Sequence, residues 1–535
     1  MVRTWPAGKM RARVLVAALV ASAPVAFAQP ESFDLVILNA RLVDGTGAPA
    51  RMASIGIRAG KIARVGGVTA AQSTNVIDAR GEVVAPGFID VHTHADDLAD
   101  RPDAMNFIRM GVTTIVAGNC GSSALDVSAA LERLTEAGPA VNYATLIGHN
   151  TVRAEVMGRA QRPPSPGELQ RMKALVFKGM ADGAVGFSTG LQYIPGTYAT
   201  SAEIVELARV AANEGGLYAT HMRNEGTALL EAVRESINVG SIARVPVQIS
   251  HLKVDSPSRW GSSGAALALI DDARKRGVDV EADMYAYTAG SSSLSIRFPS
   301  WALEGTSAEV AARLNAPDIW ARIKKEMVQL LSDRGFTDLS WATVATYRAN
   351  PAFNGLTMKA VAQSMFGRDG ADDQLEAART VMLNGGASMV YHFMTEDDVE
   401  RIMRHPMVGV ASDSGVVAFG SGVPHPRGMG NTVRVLARYV RERKIVSLEE
   451  AVRKMTSLPA HQFGLAGRGE IRVGAAADLV VFDPAKVADI ATFATPYAYP
   501  VGISHVIVNG VPALHGNEVT AVRSGQVLRR VRRLP

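Results

Sequence analysis

Between residues 33 and 84, apolar and polar positions alternate in short runs broken by glycine turns: Leu35-Val36-Ile37-Leu38, then Asp44-Gly45, Ile55-Gly56-Ile57 and Ile62-Ala63-Arg64-Val65. Runs of this length and period, bounded by Gly and Asp, predict β-strands. The far end has the same texture in Asp478-Leu479-Val480-Val481-Phe482 and His505-Val506-Ile507-Val508-Asn509-Gly510. Two β-rich ends around a different middle predict a small β-sandwich domain assembled from residues 33–84 and 466–520.

Over residues 85–465, short apolar runs alternate with helical patterns, which predicts an α/β fold with a parallel sheet. Eight runs read as strands: 88–91, 113–117, 142–147, 184–188, 217–220, 247–250, 278–283 and 408–412. Eight is the number a TIM (β/α)8 barrel requires. The stretch from about 290 to 400 is too long for one crossover and carries its own helical pattern and the β-like Ser388-Met389-Val390-Tyr391, so it reads as an inserted subdomain over the barrel mouth.

At 535 residues the chain exceeds what one hydrophobic core serves, and 47% hydrophobic with 20% charged residues is an ordinary globular balance. The first 28 residues read as an export signal: Arg3, Lys9, Arg11 and Arg13 precede the apolar run Val14 to Phe27, and Ala26-Phe27-Ala28 is a small-x-small cleavage site. A start at Met10 would make that signal more compact. The apolar run is too short to span a membrane, so an exported, periplasmic protein with no stable anchor after cleavage is expected. Loss of those four basic residues takes the net charge from +5 to +1, which removes any charge-based argument for nucleic acid. Residues 521–535, with Arg523, Arg529, Arg530, Arg532 and Arg533, read as a solvated basic tail. Nothing in the pattern sets the oligomeric state.

Metal-binding residue types fall just past the expected strand ends, where barrel enzymes carry their sites. His92 and His94 follow the first strand as His-Thr-His, and period-two alternation turns both imidazoles to one side. His221 ends the fifth strand, His251 the sixth, and Asp413 follows the eighth. Any one of them is more often a packed side chain than a ligand; it is their convergence that points to a metal. Neutral imidazole and carboxylate are ordinary zinc ligands, and a catalytic zinc keeps one position open for water. Cys120, the single cysteine, follows the second strand in Gly118-Asn119-Cys120-Gly121. In an exported chain one cysteine has no disulfide partner and faces oxidation; metal ligation as thiolate gives it a purpose, a small buried hydrophobe being the plain alternative.

The set His92, His94, Cys120, His221, His251 and Asp413 resembles the amidohydrolase superfamily, specifically its D-aminoacylase (N-acyl-D-amino-acid deacylase) family. The resemblance covers residues 33–515. Its most specific pieces are Pro86-Gly87-Phe88-Ile89-Asp90-Val91-His92-Thr93-His94, the segment around Cys120, Gly186-Phe187-Ser188-Thr189-Gly190-Leu191, Tyr218-Ala219-Thr220-His221-Met222-Arg223, Gln248-Ile249-Ser250-His251-Leu252-Lys253 and His425-Pro426-Arg427. Most amidohydrolases place a carboxylated Lys after the fourth strand; here Ser188 and Thr189 stand there. The resemblance implies that Cys120 replaces that ligand, that Cys120, His221 and His251 hold the tighter zinc, that His92 and His94 with Cys120 form a second, weaker site, and that Asp413 is the catalytic acid/base. It alone implies hydrolysis of N-acyl-D-amino acids to a carboxylate and a free D-amino acid. The run from Asp413 to His425-Pro426-Arg427 is longer than the family pattern, which leaves the side-chain preference open.

A small-molecule N-acyl amino acid carries a fixed α-carboxylate, which calls for a guanidinium fork or an ammonium beside the metal. Lys253 and Arg427 are best placed by sequence, with Tyr193, Tyr287 and Ser292 as additional hydrogen-bonding candidates; Arg223 and Glu225 read as supporting residues. Three rival readings stand beside this one. Gly186-Phe187-Ser188-Thr189-Gly190 matches a nucleophile elbow, and Ser188, Asp413 and His425 follow the chain order of a hydrolase triad. A cyclic-amide hydrolase or a dipeptidase could use the same fold, and a metal-free interaction protein is the non-catalytic alternative.

Overall fold

The alternating segments at the two ends of the chain hydrogen-bond into one nine-stranded sheet. Strands Glu518–Val519, Val511–His515, Ile503–Val508, Leu479–Phe482, Val83–Pro86, Leu35–Leu42, Arg51–Arg58 and Lys61–Val65 lie side by side in that order, with Val76–Asp78 also on Leu35–Leu42. Two facing sheets of a sandwich were expected. A single sheet forms instead because Val83–Pro86, buried throughout, pairs with Arg41 and Leu42 on one side and with Leu479–Phe482 on the other. Leu35, Ile37, Ile55, Ile57, Val481 and Ile507, drawn from both ends of the chain, share its core.

The protein is seen here as a computed structural model that describes residues 1–8, 31–420 and 422–530. It falls into two units, Met1–Ser32 and Phe33–Pro535. In the first, residues 1–8 are exposed and without regular structure. The apolar run, the cleavage site and the alternative start at Met10 lie outside the described residues.

Eight parallel strands occupy the middle: β1 (Phe88–Asp90), β2 (Val112–Ala117), β3 (Asn142–Thr145, continued by Ile147–Gly148), β4 (Gly186–Gly190), β5 (Leu217–His221), β6 (Val247–Ile249), β7 (Val280–Met284) and β8 (Val408–Val410). Every residue in them is buried, as fits strands covered on both faces. Strands β1 to β3 form one sheet, and the end of β3 with β4 to β8 forms another. Beyond β1 and β8 the two outer strands also meet: Thr93 pairs with Ser414, His94 N donates to Ser414 O at 2.9 Å, and Asp413 N donates to His92 O at 2.9 Å.

Amphipathic helices make the crossovers, and their starts are written in the sequence. In Pro166–Ala181, Ser165 and Glu168 form a capping box and proline takes the first turn, where its missing N–H costs nothing. Single side-chain caps start two others: Asp126 accepts from Ala129 N ahead of Val127–Ala137, and Thr200 accepts from Glu203 N ahead of Ser201–Asn213. Among the described residues no helix is long and apolar enough to cross a membrane.

After β7 the chain leaves for a three-stranded antiparallel sheet, Gly290–Ser293, Ala342–Thr346 and Ser388–Tyr391, with helices that include Pro317–Arg334 and Ala371–Leu383. This insertion packs around its own core of Trp320, Ile323, Met327, Val361, Met389 and Tyr391. Inside the strands Ile89, Val116, Leu146 and Ala411 form an apolar cluster that reaches the N-terminal strand ends, where Val185 and Leu217 pack with Phe463 and Leu465. The basic stretch expected to be a solvated tail is docked there as far as residue 530. Tyr143 N donates to Gln526 O and Leu528 N to Tyr143 O, while Arg530 pairs with Glu214. Its apolar residues Val527 and Leu528 are what a reading by charge overlooks.

Candidate metal centre

Three residues leave their strands in left-handed backbone: Cys120 (φ 53°) past β2, His251 (φ 36°) past β6 and Asp413 (φ 53°) past β8. For residues with a Cβ such conformations cost on the order of 1–3 kcal/mol each and persist where the surroundings fix them. Here they are fixed. Asn119 Nδ2 donates to Val91 O and Val116 O beside Cys120, and His251 N donates to Asp283 Oδ1 at 2.7 Å. At the end of β4, a Cβ on Gly190 would lie 2.0 Å from Cys120 O, so only glycine lets that strand close on the turn.

The side chains then meet. Cys120 Sγ lies 3.3 Å from His92 Nε2, 3.7 Å from His221 Nδ1 and 3.6 Å from His251 Nε2. Asp413 Oδ1 is 3.5 Å from His92 Nε2 and 3.1 Å from His94 Nε2. Three overlapping groups, Cys120–His221–His251, His92–His94–Cys120 and His92–His251–Asp413, each keep their ligand atoms within 4.8 Å of one another. All are buried except His94, whose side chain is 38% exposed.

Electrostatics favour a cation at this point. Burial pushes His92, His221 and His251 well below the usual imidazole range, so they are neutral and keep a lone pair. Burial, seconded by Asp413, pushes the Cys120 thiol well above its ordinary value. Burial also opposes the Asp413 charge, but the Arg427 guanidinium, with Nη1 2.7 Å from Oδ2, and the neighbouring imidazoles hold that carboxyl well below the carboxylate range. Behind the imidazoles stand carboxylates that orient them: Glu225 Oε1 is 3.0 Å from His251 Nδ1, Glu225 Oε2 3.6 Å from His221 Nε2, and Asp283 Oδ1 3.6 Å from His92 Nδ1. His92 Nδ1 and His221 Nε2 are buried without a hydrogen bond. Neutral nitrogens, a thiol and a carboxylate oxygen aimed at one small volume are a donor set for a divalent metal, and the residues present fit such an ion.

The structure brings all six sequence-picked residues, His92, His94, Cys120, His221, His251 and Asp413, into this cluster. The pocket beside it is lined by Tyr193, Glu225, Lys253, Tyr285, Ser292 and Arg297, among others. Tyr193 Oη sits 3.3 Å from His221 Nδ1 and 3.4 Å from Ser292 Oγ. Lys253 is fully engaged: its Nζ lies 2.5 Å from Glu225 Oε1, 2.8 Å from His251 Nδ1 and 2.9 Å from His251 O. Tyr287 is misplaced by the sequence reading. Its hydroxyl points to Pro426 O at 3.5 Å and Arg434 stacks on its ring, while Tyr285, two residues earlier in the same run, lines the pocket with a buried hydroxyl that has no partner. Arg223 pairs with Glu235, away from the cluster, whereas Glu225 touches two of the imidazoles.

The Ser188 triad does not form. Ser188 Oγ donates to Gly118 O at 2.5 Å, and His425 Nε2 donates to Ala289 O at 2.9 Å. Arg297 and Asp283 went unnoticed in the sequence. Asp283 was visible as a carboxylate near a strand end; Arg297 belongs to the insertion and carried no motif.

A family model described as "Amidohydrolase family" matches residues 75–513. An N-acyl-D-glutamate deacylase of Alcaligenes xylosoxydans xylosoxydans is 38% identical, over 94% of this chain and 97% of its own. A D-aminoacylase of the same organism is 37% identical, over 94% of this chain and 98% of its own. The crystal structure of N-acyl-D-glutamate deacylase from Bordetella bronchiseptica, complexed with zinc and a phosphonate mimic of the tetrahedral intermediate, superposes with a TM-score of 0.80 at 36% identity, covering 94% of this chain and all of that one.

Proposed function

The chain belongs to the amidohydrolase family, in its D-aminoacylase branch, as a metal-dependent enzyme acting on linear N-acyl amino acids, and from that premise we propose that it uses zinc to hydrolyse N-acyl-D-amino acids to a carboxylate and the free D-amino acid. The observation that carries this reading is the approach of Cys120 Sγ to within 3.7 Å of three imidazoles from three different strand ends. We read the eight parallel strands as a closed (β/α)8 barrel, with the Thr93–Ser414 pairing as its seam.

Cys120, His221 and His251 would hold the tighter zinc, and His92 and His94 with Cys120 the weaker one. Zinc bound there supplies a Lewis acid that polarises the scissile carbonyl and acidifies the attacking water. Asp413 Oδ1 accepts the proton of that water and delivers it to the amide nitrogen as the C–N bond breaks, a transfer that contributes about 10² to 10⁴-fold. Arg427 Nη1, 2.7 Å from Oδ2, holds this carboxylate with Oδ1 towards the imidazoles. Tyr193 donates its hydroxyl hydrogen towards the carbonyl oxygen as negative charge grows there. Arg427 and the unpaired Tyr285 hydroxyl receive the α-carboxylate, and the Lys253 ammonium, whose hydrogen bonds go to Glu225 and His251, adds positive charge beside them; both cations lie over the Tyr285 ring, at 5.7 and 4.8 Å.

The test is to offer zinc-loaded protein matched N-acetyl-D- and N-acetyl-L-amino acids and to measure free amine. Turnover of the D series, abolished by a chelator and restored by zinc, is expected; turnover confined to the L series sinks the reading. Export to the periplasm rests on residues 1–28 alone, and N-terminal sequencing of the cell-associated protein checks it.

A further inference from the structure

One buried amide stands between the turns that carry Cys120 and Tyr193. Asn150 lies in the first turn of the helix His149–Met157, directly after β3, and is only 6% exposed. Its Nδ2 donates to Gly190 O at 3.2 Å and to Tyr193 O at 3.5 Å. Two carbonyls can be met only by the donor end of an amide, so this side chain has a single orientation. Its Oδ1 then faces glycine on two sides, because a Cβ on Gly121 or on Gly196 would lie 2.4 Å from it.

The two carbonyls are those that close the turn after β4. Tyr193 N donates to Gly190 O at 3.0 Å and Thr197 N to Tyr193 O at 2.8 Å, and Asn150 gives each oxygen a second hydrogen bond. From this turn the Tyr193 hydroxyl reaches to 3.3 Å from His221 Nδ1 and 3.4 Å from Ser292 Oγ. The base that holds the amide is itself fixed. Thr151 N donates to Gly121 O at 3.1 Å, one residue past Cys120. His149 Nε2 lies 2.9 Å from Glu203 Oε1, and Arg153 Nη1 holds the same buried carboxylate at 2.8 and 2.7 Å. One amide therefore ties the tyrosine's turn to the frame that carries the thiol. Resting on the deacylase reading above, we infer that Asn150 is a positioning residue for the reaction, which through Gly190 O and Tyr193 O sets the Tyr193 hydroxyl against the scissile carbonyl. Asn150 is not among the residues that line the pocket, so its effect falls on kcat and not on substrate affinity. Misplacing a group of this kind by on the order of 1 Å costs about 100-fold in rate.

The experiment is a double-mutant cycle in zinc-loaded protein, combining Asn150→Asp with Tyr193→Phe and following the N-acetyl-D-amino acid that the wild type hydrolyses fastest. Aspartate keeps the shape of the side chain and puts an acceptor against two carbonyls. Asn150→Ser, too short to span both, runs the same cycle where the charge of aspartate disturbs folding. Asn150→Asp alone should lower kcat about 10- to 100-fold, with KM within about threefold and zinc per chain unchanged. In the Tyr193→Phe background the same change should lower kcat by no more than about twofold, since no hydroxyl is left to misplace. Equal losses in the two backgrounds overturn the inference. Failure of both Asn150 variants to fold or to bind zinc overturns it too, because the residue would then serve the scaffold alone, and so does a Tyr193→Phe enzyme as fast as the wild type. The deacylase reading is decided separately, by whether the wild type releases amine from any N-acetyl-D-amino acid; without such release both are overturned.

Discussion

The two ends of the parallel strands are built on opposite principles. At the C-terminal ends, Cys120, His251 and Asp413 sit in strained backbone and crowd neutral nitrogens, a thiol and a carboxylate into one volume. At the other end, Val185 and Leu217 pack with Phe463 and Leu465 into an apolar plug, with Leu528 of the docked basic stretch against it. One end stores unfavourable free energy that a cation and a substrate can release; the other supplies the burial that keeps the first in place. Function and stability are therefore separable by mutation.

The sharpest break is Asp413→Asn, which should lower kcat by about 10² to 10⁴-fold while leaving the melting temperature of the zinc-loaded protein near that of the wild type. A loss of less than tenfold would remove Asp413 from the proton path. At the plug, Phe463→Ala should cost about 3–5 kcal/mol of stability in denaturant unfolding, with specific activity per folded molecule kept. If activity per folded molecule falls as much, the two ends are coupled. Glu225→Gln weakens the groups behind the metal and not the ligands themselves, so zinc affinity measured by competition with a chelator should drop about 10- to 100-fold.

A further test is the effect of pH on the metal-free protein. His92, His221 and His251 have folded pKa values depressed below the unfolded value near 6.5. Below about pH 6.5 the unfolded chain therefore takes up protons that the folded one refuses, and stability present above that pH is lost as pH falls. The expected slope is about 1.4 kcal/mol per pH unit for each histidine, read from urea midpoints of chelator-treated protein at pH 7.5 and 5.5. Zinc should flatten that slope; equal slopes with and without metal would detach these histidines from the ion.

Much of the centre was legible because strand ends fall at regular places in the pattern and the ligand types are rare: one cysteine and eleven histidines in 535 residues. His92, Cys120, His221 and His251 could be picked by position and chemistry together. What escaped depends on side-chain direction. Tyr287 and Tyr285 share a face by parity, yet one packs under Arg434 and the other opens into the pocket, a difference decided by the loop after β7. Arg297 lies in an insertion whose fold is set by its own core, so no spacing from the strands could point to it. The single terminal sheet was hidden for a similar reason: each strand could be read locally, but the choice of Val83–Pro86 as the bridge between the two ends is made by long-range pairing.

The lone cysteine gives the molecule a built-in gauge. Since Cys120 is the chain's only thiol and is proposed to hold metal, a colorimetric thiol reagent has a single place to react. Protection of the loaded protein against the reagent in mild denaturant, lost on chelation, would count filled centres one for one, without any substrate.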